Sequence, residues 1–214
     1  MIKKEVISFV RNLLPKEDKV GKWHERFLVA TIEKVLSEMY ADLHAINPRL
    51  LDNYVKTYGA TTPIAISLEA SSGIYYSTIP VTICNLPSKN SGLRHIYPAV
   101  QTGNQFQPMD AREADLIFNT DVAVVTSKIG FRVRQDSRVD YWNTNAVVRA
   151  AGVRMDLLPT FSAYRDTDVV NIPELTEKQG GTFAQRVLTL LGVVQPSDLL
   201  DNNAENRQQT NSKR

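Results

Sequence analysis

Ile2, Val6, Phe9, Val10 and Leu13 recur at helical spacing with charged residues behind them, so the chain opens on an amphipathic helix that ends in the charged, turn-prone run 15–21. A longer helix is expected from about Lys22 to Ile46, with Leu28, Ile32, Val35, Leu36, Met39, Leu43 and Ile46 on one face. Trp23 and Phe27 begin a second apolar patch beside that stripe. Asn47 before Pro48 is a helix-start signal, since Asn can cap free amides and Pro at the first position has no amide to lose. It predicts a short third helix carrying Leu50, Leu51, Tyr54, Val55 and Tyr58 and stopping at Gly59. Three helices in residues 1–59 cannot fill a core alone. They need the rest of the chain, other copies in a ring, or a partner.

From Thr62 the pattern changes to strands. Segments 64–69, 74–78, 81–86 and 94–97 are rich in β-branched and aromatic residues, and prolines 63, 80, 87 and 98 punctuate them. Proline cannot donate to a ladder, so these positions mark strand ends, edges or bulges. The stretch GIYYSTIPVTICNLPSKNSGLRHIYP, 73–98, reads as two such runs joined by a Gly/Asn/Ser turn, the hairpin that seeds a β-domain. A polar loop, 101–109, precedes a helical turn at 110–117. Segments 121–126 and 129–135 then predict a hairpin across Ser127 and Lys128. In its second arm Ile129, Phe131 and Val133 alternate with Gly130, Arg132 and Arg134.

Asn143–Asn145 marks another turn, and 146–154 and 155–164 fit strand or helix equally. Thr182 and Gln185 have capping-box spacing and open a final helix carrying Phe183, Val187, Leu188, Leu190 and Leu191, closed by Gly192. From Gln195 to Arg214 the chain is polar. It cannot bury enough apolar area to offset an ordering entropy of roughly 1–2 kcal/mol per residue. A tail extended or disordered on its own, ordered by a partner, is the expectation. The fold class predicted is α+β: N-terminal helices, an antiparallel β-sandwich or small β-barrel, a C-terminal helix and a polar tail. The divisions are 1–59 helical, 60–192 β-rich with its closing helix, and 193–214 tail.

Bulk numbers add little and exclude some classes. The 214 residues are 43% hydrophobic and 22% charged, ordinary for a globular protein, and a formal charge of +2 does not by itself argue for nucleic acid. No apolar run approaches the roughly 20 residues of a membrane helix, so a soluble chain is expected, with no leader or span. One cysteine, Cys84, rules out an internal disulfide and a multi-cysteine metal site, and reads as a buried thiol.

The chemistry is equally sparse. Neither phosphate-loop glycine pattern occurs, and Gly180 and Gly181 follow polar sequence as a loop. His24, His44 and His95 fall in different elements, and His24 with Glu25 lacks the second histidine of a zinc-protease helix. His95, beside Arg94, reads as a surface or edge residue. Asp166 and Asp168 lack the further acids of a calcium loop and read as a turn or cap cluster. Between Lys128 and Arg154 six basic residues (128, 132, 134, 138, 149, 154) face two acids, Asp136 and Asp140, which fits a solvated sheet face or one turned toward nucleic acid. No catalytic, cofactor-binding or metal residue is expected.

One resemblance carries more. The helical stretch FLVATIEKVLSEMYADLHAINPRLLDNYVKTYG (27–59), then YYSTIPVTICNLPSKNSGLRHIYP, then FQPMD (106–110), and a late D-x-V-x-x-I-P at 168–173 before an amphipathic helix, together resemble the virion proteins that form connector or ring layers below the portal of tailed bacteriophages. The short-tailed, crAss-like group is most similar. The resemblance spans about 22–192, and its motifs are structural. It implies a non-enzymatic subunit of a symmetric ring in the head-to-tail connector of the virion, assembled in the host bacterial cytoplasm. Its implied partners are further copies of itself, the portal protein and other ring or tail proteins, with genomic DNA close by in the channel and no membrane. A dodecamer is implied where the portal has that symmetry. The competing expectations are a stand-alone hydrolase, with His95 and an acid brought together by folding, and a nucleic-acid-binding module using the basic stretch.

Overall fold

The computed structural model describes residues 1–14, 24–87, 90, 92–100, 105–110, 112–113, 129–134, 137–174 and 182–193. The architecture is α+β: N-terminal helices, two mostly antiparallel sheets and a short C-terminal helix. The chain divides into two compact units. One combines Met1–Met39 with Tyr164–Arg214, and the other is Tyr40–Ala163, so the second is an insertion within the first.

In the first unit, α1 is Lys3–Leu13, with Val6, Ile7 and Val10 buried along one side and Leu14 just beyond it. Phe9, expected on the buried stripe, is 39% exposed, because the stripe runs through Ile7 instead. The first-turn amides of α1 have no partner inside the helix. Here Lys3 and Lys4 donate to the carbonyls of Asp168 and Asp166, and Ile2 donates to Glu5 Oε2 at 3.0 Å. Val170 donates to Met1 O at 2.8 Å, and Lys3 Nζ to Tyr164 O at 2.7 Å. Segment 164–170 therefore acts as a strap across the start of α1.

The second helix, α2, is Glu25–Ile46. Leu28, Ile32, Val35, Leu36, Met39 and Leu43 are buried as the periodicity predicts; Ile46, at the last position, is exposed, as is Phe27. Trp23 lies outside the described residues.

Asn47 caps the next segment, accepting from the Arg49 amide at 3.0 Å, but that segment is a 3₁₀ helix, Pro48–Asn53, in place of a third α-helix reaching Gly59. Only Leu51 is buried on it. The β-branched pair Val55 and Thr57 breaks the helical run, and Lys56–Tyr58 becomes strand β1, paired with a strand much later in the sequence.

The remaining strands are β2 (Ser67–Leu68), β3 (Tyr75–Thr78), β4 (Leu93–Pro98), β5 (Gln107–Pro108), β6 (Gly130–Val133), β7 (Arg138–Trp142) and β8 (Val153–Leu157). One sheet has the order β1-β8-β4 and the other β2-β3-β7-β6-β5, with β5 and β6 the one parallel pair among the described residues. Helix α3, Ala146–Ala151, links β7 to β8, capped by Asn145 accepting from Val148 N at 2.8 Å. The expected 73–98 hairpin does not form: β3 and β4 lie in different sheets. Between them 81–86 makes no regular strand, only the bridge Ile83↔Pro159. Prolines 80 and 87 remove the donors a ladder there would need.

Likewise, Ile64 bridges Val153 while only Ser67–Leu68 of the expected 64–69 strand pairs with β3. β6 pairs with β7, the next strand along the chain. The other expected partner, 121–126, lies outside the described residues with the 127–128 turn and most of 110–117. From Phe131 onward the alternation holds, with Phe131 buried and Arg132 and Arg134 exposed, whereas Gly130, expected on the arginine face, is buried.

Both sheets contribute to one core: Leu93, Ile96, Val153, Met155 and Leu157 from the first, Phe131, Val139 and Tyr141 from the second, with Phe106 beside them. Phe106 meets Tyr141 edge to face at 5.7 Å, the arrangement ring quadrupoles favour. No strand pairing joins the two sheets among the described residues, so they are separate sheets sharing a core.

Helix α4, Phe183–Leu190, packs on α1. Its capping box is formed by Thr182 and Gln185, each accepting from the other's amide. Gly180, Gly181 and the polar segment 195–214 lie outside the described residues.

Candidate functional site

Two polar clusters stand out, one on the outer face of each sheet. The first gathers around β4. An irregularity between Leu93 and His95 shifts the register and leaves Arg94 without a partner on β8, the kind of break that commonly re-aims a side chain. Arg94 Nε donates to Asp52 Oδ1 at 3.0 Å, and its NH2 donates to Pro48 O at 2.8 Å. The 3₁₀ segment is thereby fastened to β4.

His95 shares that carboxylate, with Nε2 3.3 Å from Asp52 Oδ1. Its Nδ1 meets the Gln105 side-chain amide. With the Gln105 amide nitrogen facing Nδ1, that nitrogen donates and the Nε2–H of a neutral ring points to Asp52. The histidine is held from both sides, and its side chain is 22% exposed. Farther along the same face, Tyr97 stands opposite Arg154 in register, and His95 opposite Asp156. Thr57 Oγ1 donates to Asp156 Oδ1 at 2.6 Å. Burial, then the charges of Asp156 and Asp52, hold the Tyr97 hydroxyl protonated above its ordinary range.

The second cluster is centred on Arg138 of β7. Its NH1 and NH2 donate to Glu69 Oε1 and Oε2 at 2.6 and 3.0 Å, a bidentate fork. Its Nε donates to Asp140 Oδ1 at 2.6 Å, and its guanidinium lies over the Tyr76 ring at 4.1 Å. Asp140 is buried, and Arg134 NH1 comes within 3.8 Å of its other oxygen. Arg138 lowers the Glu69 carboxyl to about 2, with help from the Ser72 hydroxyl. The same bonds hold the Arg138 proton more firmly than usual.

The basic stretch of the sequence is therefore not one free cationic face. Arg138 is neutralised by two carboxylates. Arg149 sits over the Tyr75 ring at 4.5 Å and donates to Thr144 O at 2.9 Å. Arg132 is exposed on β6, and Lys128 and Asp136 lie outside the described residues.

Other singled-out residues prove structural in their contacts. Cys84 is buried and its thiol lies 3.3 Å from Pro159 O. Asp168 Oδ2 accepts from Arg165 N at 2.9 Å, a turn contact, while the carbonyls of Asp166 and Asp168 cap α1. His24 gives its carbonyl to the first turn of α2, and half-buried His44 lies near the helix end. Among the described residues, no three His, Cys, Asp or Glu side chains converge as metal ligands would. No helix among them is long and apolar enough to cross a membrane.

Sequence reasoning did not anticipate Asp52 and Gln105 as partners of His95, nor Glu69 as that of Arg138. The residues of each pair are remote in sequence or sit in irregular segments. Only the unpaired register of Arg94 could have pointed to the first, and that requires the register break. Compared with models of known families and with curated proteins, the chain matches none.

Proposed function

We propose that this chain is a structural ring subunit of a tailed-phage head-to-tail connector. It docks on the portal or a neighbouring ring and surrounds the DNA channel. The observation that carries the reading is that the stretch behind the resemblance supplies strands and core residues of both sheets among the described residues. Tyr75–Thr78 is β3, beside central β7; Leu93–Pro98 is β4; and Phe106–Pro108 supplies a core aromatic and an edge strand. The ionisable groups around it act as fasteners, His95 and Arg94 on Asp52 and Arg138 on Glu69 and Asp140. In a ring the contact is heterologous, one patch meeting a different patch on the next copy, and the rotation that closes it sets the copy number.

The test is mass and shape. Purified chain mixed with the portal protein of the same virion should give a discrete closed complex by light scattering and negative-stain imaging. Persistent failure to associate with any connector component removes the reading. Deleting Gln195–Arg214 should weaken that assembly while leaving the melting temperature of the chain unchanged.

The His95–Asp52 contact favours a second reading, a hydrolase using this pair as base and orienter. It is the weaker one, because both ring nitrogens are engaged and neither is left to take a proton from a nucleophile. Ester or peptide cleavage by the purified chain that His95→Ala abolishes would promote it.

A further inference from the structure

Gly130 is buried on a face where Arg132 and Arg134 are exposed, and Met109 is the reason. The Met109 thioether stands where a side chain at 130 would begin, with its Cγ 3.0 Å and its Cε 3.1 Å from the Cβ a larger residue would carry there. A glycine inside a strand often marks such a close approach. Met109 thus covers the start of β6 with its side chain, and its backbone joins in, since Met109 N donates to Phe131 O at 2.8 Å.

The strand that Met109 follows is otherwise lightly held. β5 is an edge strand paired with β6 over two residues, Gln107 and Pro108. Gln107 N donates to Ile129 O at 2.9 Å, and Pro108 has no amide hydrogen to give. Just before it lies Phe106, a buried aromatic of the core. Of the four methionines, Met39 and Met155 are fully buried and Met1 is an exposed end residue. Met109, half-buried, is the one that combines access from solvent with a sulfur seated on another strand.

We propose that Met109 is an oxidation site that latches β5 to β6, released when hydrogen peroxide converts its thioether to the sulfoxide. The sulfur attacks one peroxide oxygen, the O–O bond breaks and an S–O bond forms. The proton on the attacked oxygen passes to the other, which leaves as water, so sulfur gives up two electrons and the peroxide takes them. The product is polar and chiral where the thioether was apolar. Its new oxygen draws water to a sulfur that had packed on Gly130, and burying it there without a donor is unfavourable. β5 then keeps only the amide bonds of Gln107 and Met109. When these open, Ile129 O and Phe131 O become free acceptors on an edge of β6, the kind of edge that accepts another strand. Reduction of the sulfoxide by a methionine sulfoxide reductase resets the latch. This inference stands apart from the ring reading.

The experiment treats the folded full chain with hydrogen peroxide, maps the oxidised methionines by peptide mass, and follows amide exchange at Gln107 and Met109. Met109 should gain one oxygen along with Met1, while Met39 and Met155 are spared. Exchange at the two amides should become at least about tenfold faster and return to its starting rate after treatment with methionine sulfoxide reductases. Met109→Leu, a volume-conserving change without the sulfur, should keep slow exchange before and after peroxide, which separates the effect from oxidation of Met1. Met109→Gln, which puts a polar group at the seat, should exchange fast without peroxide. The proposal is overturned if Met109 stays reduced while Met1 is oxidised, if its oxidation leaves exchange at 107 and 109 unchanged, or if the Met109→Leu chain responds to peroxide as the native chain does.

Discussion

Ser77 and Tyr141 bring their side-chain oxygens to 2.5 Å across β3 and β7, inside the core of the β unit. Ser77 stands opposite Val139, so the bond runs to the diagonal neighbour on the same face, a reach long side chains manage. Both residues are almost completely buried, which leaves each hydroxyl dependent on the other. Tyr141→Phe should therefore destabilise the chain by about 1–3 kcal/mol, the cost of stranding a buried partner. Removing both hydroxyls, with Ser77→Ala added, should recover part of that loss. Denaturant unfolding of the two single variants and the double variant measures the coupling, and additive effects would show that the bond contributes nothing.

The same tyrosine shapes the alkaline limit. Burial raises the Tyr141 hydroxyl above its ordinary range, outweighing the Ser77 bond that acts the other way. A proton held more tightly in the folded chain means stability is intact below about pH 10, the free tyrosine value, and falls as pH rises beyond it. Tyr141→Phe should flatten this decline in melting temperature. Part of it remains, because Tyr97 is shifted in the same direction.

At the acid end Glu69 decides the sign. Its carboxyl, ordinarily near 4.5, is lowered to about 2 chiefly by the Arg138 hydrogen bonds. Its contribution is complete above about pH 4.5 and disappears as pH falls toward 2. Glu69→Gln should melt earlier at neutral pH and show a shallower acid loss. An unchanged acid profile would remove the fork from the stability of the sheet.

Gly152 and Gly59 flank the point where Ile64 and Val153 exchange backbone hydrogen bonds of 2.9 Å in both directions. Both glycines have positive φ, +78 and +84, and an added Cβ would lie 2.6 Å from Ile64 O and Val153 O respectively. Gly152→Ala should destabilise the chain, whereas a strain-free Gly→Ala replacement stabilises by about 0.4–1 kcal/mol, because φ is positive here and a backbone carbonyl must also move. Thermal melting compared with Gly73→Ala, where the space is open, separates the clash from the φ penalty.

Thr182→Ala tests the C-terminal helix more locally. Losing the Thr182 cap on Gln185 N should cost about 1 kcal/mol, read as faster amide exchange in α4.

What the sequence made legible was whatever depends on near neighbours. The stripe Leu28, Ile32, Val35, Leu36, Met39 and Leu43 marked α2, Thr182 with Gln185 marked α4, Asn47 its cap, and the alternation around Phe131 a strand with one buried face. Partner choice was not legible. Tyr75 and Leu93 look like arms of one hairpin, yet each finds its partner far off in the chain, at Tyr141 and Leu157. Periodicity says which face of a strand is apolar and nothing about which strand lies beside it. The clusters were hidden for the same reason: Asp52 reaches His95 from the 3₁₀ segment Pro48–Asn53, to a strand whose register breaks at Arg94.

The strap from Tyr164 to Val170 over the start of α1 has a consequence for synthesis. Helix α1, made first, waits for a segment made long after it, since Lys3, Lys4 and Met1 bond to residues that come after the whole of Tyr40–Ala163. At ~5–20 residues per second, the ribosome completes the inserted β unit before the strap, and α4 later still. The β unit can thus fold while translation continues, whereas the unit holding α1 closes only afterwards. Until then Val6, Ile7 and Val10, buried in the finished unit, lack whatever cover the strap and α4 bring to α1.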